Sequence, residues 1–162
     1  MQHVISVLVE NKAGVLARVA GLFSGRGFNI DSLTVGPSAD RTLSRMTITV
    51  TGDDQTIEQI NKQLNKLIDV IKILDLTGEE FIERELMMIC VAAASKNRSE
   101  IMEIANVFQA KVVDISHNTL TIEISGSGAK VDALLELLRP FGIKEMVRSG
   151  RTVMKRSPKT NK

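Results

Sequence analysis

Three side chains of this sequence are of types that often do chemistry, but each stands alone. The only cysteine, Cys90, lies between Ile89 and Val91 in an apolar run, a setting typical of a buried structural thiol. The two histidines, His3 and His117, have no Cys or His partner at the spacing of a metal site. We expect both to be surface or turn residues. Neither a nucleophile nor a metal centre is indicated.

Two glycine-rich segments lack the spacing of nucleotide-binding loops. Residues 125–130, SGSGAK, do not follow the GxxxxGK[S/T] pattern, and we interpret them as a turn before a helix. Residues 25–27, Gly-Arg-Gly, follow a helical pattern instead of opening one, unlike a dinucleotide fingerprint. The acidic residues Glu83 and Glu85 fall in a polar segment and are expected to be solvated. The sequence therefore predicts no catalytic residues, no metal site and no cofactor of its own.

An asparagine–glycine loop favours a different chemistry, the binding of a small zwitterion. Asn11 and Gly14 stand between a β-type run and a helical pattern, and Asn29 opens the next apolar run. The first turn of a helix has unpaired N–H groups and the positive end of the dipole, which bind a carboxylate. Gly14 lacks a Cβ and lets a ligand approach the main chain. The two asparagine amides can accept from an ammonium group or donate to an acceptor.

The side chains around this loop are aliphatic, which favours a small branched ligand. They are Val15, Leu16, Ile30 and Val35. A plainer interpretation fits the same residues: Asn11 caps the helix and Gly14 only tightens the turn. The residues alone leave both interpretations open.

The elements that must position this loop follow a β-α-β-β-α-β order over the first half of the chain. Residues 3–10 and 28–36 are predicted strands around a helix. The apolar face of that helix is predicted to carry Val15, Leu16, Val19, Leu22 and Phe23. Met46, Ile48 and Val50 alternate with threonines, which indicates a strand with one dry face. A second helix is expected to begin near Asp53 or Asp54 and to lead into a strand at 70–76. This order is the split βαβ arrangement of ferredoxin-like folds.

The second half repeats the order at an offset of about 84 residues. It places strands at 85–94, 111–116, 119–125 and 143–149, with helices between them. In this alignment Gly14 falls near Arg98 and Asn29 near Val113, so the unusual loop is absent from the second half. We predict an α+β protein of two domains at 1–78 and 85–150, joined by a connector at 79–84, with antiparallel sheets and helices on one face.

Composition and charge are those of an ordinary globular protein, with 43% hydrophobic and 25% charged residues. The amino-terminal segment has no signal-peptide pattern and no apolar run is long enough to span a bilayer, so we expect a cytoplasmic protein.

Residues 148–162 carry six basic residues and no acid, against 15 basic and 19 acidic residues elsewhere, a net of −4. We interpret residues 151–162 as a frayed basic tail. Nucleic-acid binding remains a minor alternative because no interleaved aromatics accompany the charge.

Three segments carry a resemblance to a known family. The arrangement at 5–35 resembles an ACT domain, a module that senses small molecules such as amino acids. Together the segments ENKAGVLARVAGLFSGRGFNIDSLTV, LSRMTITV and ERELMMICV resemble the small, regulatory subunit of acetolactate synthase, also called acetohydroxyacid synthase. The resemblance covers nearly the whole chain, with an N-terminal ACT domain and a C-terminal ACT-like domain.

The resemblance implies a non-catalytic, allosteric partner of a large catalytic subunit in branched-chain amino acid biosynthesis. That subunit, a transferase acting on pyruvate, would carry thiamine diphosphate, Mg²⁺ and FAD. The small subunit would raise its activity and confer feedback inhibition, commonly by valine. The family's effector loop corresponds to Asn11, Gly14 and Leu16, and its facing element to Asn29 and Ile30 of a second chain in a homodimer. The full set of predicted effector contacts is Asn11, Ala13, Gly14, Val15, Leu16, Asn29, Ile30 and Val35.

Two other functions stay open at this point. One is a stand-alone ACT regulator of another enzyme or of transcription, for which the basic tail is the only support and no helix-turn-helix pattern appears. The other is an enzyme in its own right, which the lack of a reactive constellation disfavours. An aliphatic pocket discriminates one methylene only ~10–200-fold, so the sequence does not select among valine, leucine and isoleucine.

Overall fold

A computed structural model describes residues 1–157 of the chain and separates two compact units. The first unit comprises residues 1–82 together with the described residues from 150 onward, and the second comprises residues 83–149. The elements of the first unit follow the predicted order. They are β1 (Gln2–Glu10), α1 (Val15–Ser24), β2 (Ile30–Pro37), β3 (Leu43–Thr51), α2 (Asp54–Leu64) and β4 (Val70–Asp75).

The remaining elements repeat that order and then add one short strand. They are β5 (Phe81–Ala92), α3 (Arg98–Val107), β6 (Lys111–Ile115), β7 (Thr119–Gly126), α4 (Gly128–Leu138), a 3₁₀ turn (Arg139–Phe141), β8 (Ile143–Arg148) and β9 (Thr152–Lys155). The boundary between the units falls within β5.

Both sheets have the strand order of the split βαβ arrangement. The first sheet runs β2-β3-β1-β4 and the second β6-β7-β5-β8, with antiparallel neighbours throughout. The prediction of two ferredoxin-like α+β domains is therefore confirmed. Within residues 1–157 the edge strand that follows the first helix has one unpaired side in both units, β2 in the first and β6 in the second.

The spacing of the buried side chains along the strands and helices explains why both helices of the first unit lie on one face of its sheet. Alternate residues of β1 and β3 are buried in one cluster with Val15, Val19 and Phe23 of α1. From α2 the cluster takes Ile57, Ile60 and Leu64. The helical spacing of these side chains matches the alternation of the strands beneath them.

The ends of both helices are fixed by local chemistry. The side chain of Asp53 accepts a hydrogen bond from the backbone N–H of Thr56 at 2.7 Å, so Asp53 is the N-cap of α2 as the sequence predicts. At the end of α1 the left-handed residue is Gly27, with φ +71°, while Gly25 is right-handed. The bonds from Gly27 N–H to the Ser24 carbonyl and from Phe28 N–H to the Phe23 carbonyl form a Schellman closure.

Two expectations about irregular segments are wrong. β5 begins at Phe81, so much of the expected connector at 79–84 is strand. Residues 152–155 of the expected frayed tail form β9, which pairs with β5. The physical reason is Val153, which is 5% exposed and packs with Val4, Leu76 and Phe81. The end of the expected tail, residues 158–162, lies outside the described part of the chain.

Three expectations about single side chains are also wrong. Cys90 is partly exposed instead of buried. His3 is 1% exposed; its Nε2 donates to the Gly52 carbonyl at 3.1 Å and its Nδ1 lies 3.0 Å from Thr77 Oγ1. Glu85 is 5% exposed and accepts from Arg148 Nε at 2.6 Å. The partners of His3 and Glu85 lie far away in the sequence, so the local pattern carried no sign of them.

Candidate effector site

The loop between β1 and α1 is built around a left-handed glycine. Gly14 precedes the first residue of α1 and has φ +84° and ψ −9°, the left-handed conformation that most side chains disfavour. A Cβ at this position would stand 3.0 Å from Nη1 of Arg18, one turn further along the helix. The Arg18 guanidinium therefore lies beside the Gly14 main chain, in the space that a Cβ would need.

The first turn of α1 leaves donors available. The N–H of Val15 reaches the Lys12 carbonyl only at 3.4 Å, and that of Arg18 bonds to the Gly14 carbonyl at 3.0 Å. Within residues 1–157 the amides of Leu16 and Ala17 have no hydrogen-bond acceptor. No acidic side chain of the first turn compensates the positive end of the helix. These amides can hold a carboxylate.

Asn11 does not cap the helix. Its Nδ2 donates to the Arg41 carbonyl at 2.9 Å and its backbone N–H donates to the Thr42 carbonyl at 2.7 Å. No side chain among the described residues caps α1. The capping interpretation of Asn11 is therefore wrong. Asn11 instead ties the loop to the turn between β2 and β3, which leaves its amide oxygen for a further donor.

Arg18 is a residue that sequence reasoning missed. Its Nε donates to Asp69 Oδ2 at 2.8 Å; the Asp69 side chain is 10% exposed and that of Arg18 is 49% exposed. The ion pair holds the guanidinium beside Gly14 while half of its surface faces solvent. The signal was its position four residues after Gly14, which places it above the loop on a helix that begins at Val15.

A second cation of the loop is already engaged. Lys12 Nζ lies 2.8 Å from Glu10 Oε2. The hydrogen bond to the Glu10 carboxylate, with its electrostatic attraction, raises the pKa of Lys12 above its ordinary value. Lys12 therefore stays protonated and paired, and Arg18 is the cation nearer to the main chain at Gly14.

Asn29 and Ile30 lie at the other end of α1. Because α1 has ten residues, its ends are about 15 Å apart. Asn29 Nδ2 donates to Asp31 Oδ1 at 3.1 Å, and Asp31 Oδ2 accepts from Thr51 Oγ1 at 2.7 Å. One chain thus does not bring Asn29 and Ile30 to the Asn11–Leu16 loop.

The aliphatic residues divide by exposure. Val15 is 3% exposed and belongs to the core, so it offers a ligand its backbone only, and Ile30 packs against the same core. Leu16 is 46% exposed and Val35 is 41% exposed. Ala13 is exposed in the loop itself. Leu16 and Val35 are the apolar side chains that a ligand could contact.

The second unit fills the corresponding loop with its own side chain. Its helix α3 begins at Arg98 after Asn97, whose φ of −118° is not left-handed. Arg98 Nη2 donates to the carbonyls of Ala93, Ser116 and His117 at 3.1, 2.7 and 2.8 Å. A guanidinium here holds the turn that Asn11 holds in the first unit. The alignment of Gly14 near Arg98 predicted this difference.

The described residues contain no cluster of three or more His, Cys, Asp or Glu side chains that could hold a metal ion. Among the helices of residues 1–157, none is long and apolar enough to cross a bilayer.

Comparison with known families agrees with the fold, which is a tandem pair of ACT-type domains. A model described as the AHAS small subunit-like ACT domain matches residues 5–72. A model described as the small subunit of acetolactate synthase matches residues 84–157.

Individual relatives cover nearly the whole chain. A probable acetolactate synthase small subunit of Methanothermobacter thermautotrophicus is 55% identical, over 98% of this chain and 95% of that protein. The acetolactate synthase small subunit of Mycobacterium bovis is 52% identical, over 97% and 94%. The crystal structure of the Thermotoga maritima small subunit matches with a TM-score of 0.87 and 42% identity, over 97% and 98%. The chain belongs to the family of acetolactate synthase small subunits.

Proposed function

We propose that this chain is the regulatory, non-catalytic subunit of a cytoplasmic acetolactate synthase. It binds the large catalytic subunit, raises its activity and confers feedback inhibition by valine or another branched-chain amino acid. The large subunit supplies thiamine diphosphate, Mg²⁺ and FAD. The observation that carries the effector role is the loop of the first unit, where open amides, a left-handed glycine and Arg18 converge.

The chemistry of the loop suits the carboxylate of an amino acid. The amides of Leu16 and Ala17 donate to it, and the guanidinium of Arg18 adds charge. Because Gly14 has no Cβ, the carboxylate can sit against the main chain. The ligand's aliphatic side chain lies against Leu16 and Val35, both of which are exposed in the single chain.

A single loop holds only the carboxylate end, so a second chain must supply the other half. β2 is the edge strand of its sheet, begins immediately after Asn29 and ends at the turn that Asn11 holds. Antiparallel pairing of two β2 edges about a two-fold axis brings the start of one β2 to the end of the other. Asn29 and Ile30 of one chain then face the loop of its partner, and the Asn29 amide oxygen can accept from the ammonium.

Such a site couples ligand binding to the dimer. Valine shifts the activity of the catalytic subunit only if it binds two states of the assembly with different affinity. A ligand held by both chains binds tightly only where the two β2 edges are correctly paired. The inhibited state is therefore the one with the ordered dimer interface.

We place part of the large-subunit contact on the second unit, whose sheet has an exposed apolar face. Helices α3 and α4 cover one face of that sheet. The opposite face presents Leu86 at 43%, Met88 at 41% and Val147 at 55% exposure. Deleting residues 80–162 should abolish activation. Because that deletion also removes β9, Met88→Asp in the full chain is the sharper test of this face.

The experiment is acetolactate formation by the large subunit from the same source, measured alone, with this chain, and with this chain plus valine. Stimulation that valine reverses supports both parts of the proposal. Stimulation without a valine effect keeps the partner and overturns the assigned effector. Absence of stimulation by folded protein at matched concentrations overturns the regulatory role.

A further inference from the structure

The first sheet has a second face, which borders an open cavity of about 580 Å³. In the register of β3, Met46 and Ile48 belong to the core under the helices. Arg45 and Thr47 alternate with them and therefore lie on the opposite face. Both line the cavity, together with Thr152–Met154 of β9. The cavity thus lies between the sheet and β9, on the side away from α1 and α2.

Several contacts hold the carboxy-terminal segment against this face. A Cβ at Gly150 would stand 2.6 Å from Thr34 Oγ1 and 3.1 Å from the carbonyl group of Leu33, so only glycine allows so close an approach. Val153 is buried in its own apolar cluster. Lys155 Nζ lies 2.9 Å from Glu79 Oε2. The wall formed by Thr152–Met154 is therefore anchored at Gly150 on one side and at Lys155 on the other.

The lining combines aliphatic walls with one cation. Leu8, Leu43, Val153 and Met154 provide apolar surface. Arg45 provides the charge; its Nη1 donates to Ser6 Oγ at 3.4 Å, and no acid among the described residues pairs with it. The nearby acids are engaged elsewhere, since Glu10 pairs with Lys12 and Asp40 accepts from Thr42.

A hydroxyl in the lining also lacks a partner. Thr34 Oγ1 is buried and makes no hydrogen bond within the described residues. Buried polar atoms are nearly always satisfied, so an orphan in a cavity wall points to a missing partner. The Arg45 guanidinium can donate to a carboxylate, and a guanidinium is well suited to binding one.

We propose that this cavity is a second ligand site, for a small aliphatic carboxylate that carries no ammonium group. Its volume lies within the range of ligand pockets, roughly 300–1,000 Å³. The unpaired charge of Arg45 attracts a monoanion and disfavours the ammonium of a zwitterion. The site therefore differs in ligand class from the loop at Gly14, and it does not rest on the effector role proposed for that loop.

The test is a titration of the full-length protein with small-molecule probes. The methyl signals of its methionines are monitored during the titration. Met154 lines the cavity, and Met102, on α3 of the second unit, is the internal reference. The probes are isovalerate, 3-methylbutan-1-ol with the same alkyl group and no charge, acetate with the charge alone, and valine. We expect isovalerate to shift the Met154 signal saturably, with a dissociation constant at least about tenfold below those of the other three. Met102 should not move.

Variants separate charge from packing. Arg45→Gln keeps a donor toward Ser6 and should weaken isovalerate binding at least about tenfold, while Arg45→Lys should restore most of it. Lys72→Gln is the matched control, because Lys72 lies on the same sheet face, opposite Leu8, and does not line the cavity. Gly14→Asp should leave isovalerate binding unchanged, so failure of the effector proposal would not affect this result.

Several outcomes would overturn the proposal. They are a Met154 signal that isovalerate leaves unmoved, equal binding of the alcohol or of valine, and unchanged binding by Arg45→Gln. A Met154 signal that moves on protein dilution instead of with isovalerate would assign the cavity to contact with a second copy of the chain.

Discussion

Arg18 bonds to Asp69 at 2.8 Å, and this ion pair holds its guanidinium 3.0 Å from the point where a Cβ on residue 14 would lie. The loop therefore combines the unpaired amides of Leu16 and Ala17 with a fixed positive charge. Any acid introduced at position 14 would enter this space and pair with that charge.

Gly14→Asp is expected to remove the valine response while leaving the fold intact. The new carboxylate would occupy the ligand's place, repel the ligand's carboxylate and neutralise Arg18. Aspartate tolerates the left-handed conformation better than most residues, so the strain is modest. The measurement is valine inhibition of the reconstituted enzyme, with a thermal unfolding curve of the variant alone.

Gly78→Asp is the matched control for that variant. Gly78 has φ +74° and open space around its missing Cβ, so the substitution adds the same charge and the same backbone strain away from the loop. Its valine response should equal that of the parent chain. Full inhibition of the Gly14→Asp enzyme, or loss of inhibition in both variants, would contradict the placement of the site.

Arg18→Gln should raise the valine concentration for half-inhibition by about tenfold or more, because it removes a charge-assisted contact to the carboxylate. Asp69→Asn breaks the same ion pair but keeps the guanidinium, so it should lose clearly less of the valine response than Arg18→Gln. The comparison therefore separates a ligand contact from a structural ion pair. Equal loss in the two variants would assign Arg18 a structural role only.

The elements that the sequence predicted are those whose patterns are local. The spacing of Val15, Val19 and Phe23 lies within a single short helix, and the alternation of Met46, Ile48 and Val50 within a single strand. Repetition of the same order in the second half then specified the fold class. Position 14 was notable for the same reason, since a glycine at a strand–helix junction is visible in a short window.

What the sequence did not predict depends on contacts between distant residues. β9 has one core side chain, Val153, whose partners Val4 and Leu76 lie far back in the chain. The positions of Arg18 and Asp69 differ by 51 residues, so the local sequence did not indicate the ion pair that holds the guanidinium at the site. Burial of Glu85 likewise depends on Arg148, 63 residues later.

The N-cap of α2 predicts a pH-dependent contribution to stability. The hydrogen bond from Thr56 lowers the pKa of Asp53 below its ordinary value. A carboxylate whose pKa is lower in the folded state stabilises the fold above the pKa of the unfolded chain, about 4, and loses that contribution as the pH falls further. The melting-temperature advantage of the parent over Asp53→Asn, which keeps a capping oxygen but does not titrate, should therefore shrink between about pH 5 and pH 3.

Asp54→Asn serves as the control for that series. Asp54 lies in the same first turn but accepts no capping bond among the described contacts. The difference in melting temperature between Asp54→Asn and the parent should change less over the same pH range. If the difference in melting temperature between the parent and Asp53→Asn did not change with pH, the assigned role of the cap would be contradicted.

Intersubunit complementation tests whether one site uses two chains. Gly14→Asp damages the loop half and Asn29→Ala the facing half, so each homodimer should lack valine inhibition. A mixed dimer holds one site with both defects and one with neither. Random reassociation of equal amounts makes about half of the dimers mixed, so about a quarter of all sites should be intact.

The two geometries predict different results for that mixture. If the loop and Asn29 of partner chains form the site, co-refolding the two variants restores partial valine inhibition, whereas mixing them without subunit exchange does not. If Asn29 served the loop of its own chain, no combination of the variants would contain an intact site. The length of α1, about 15 Å between its ends, favours the shared site, and inhibition that stays absent after verified exchange would refute it.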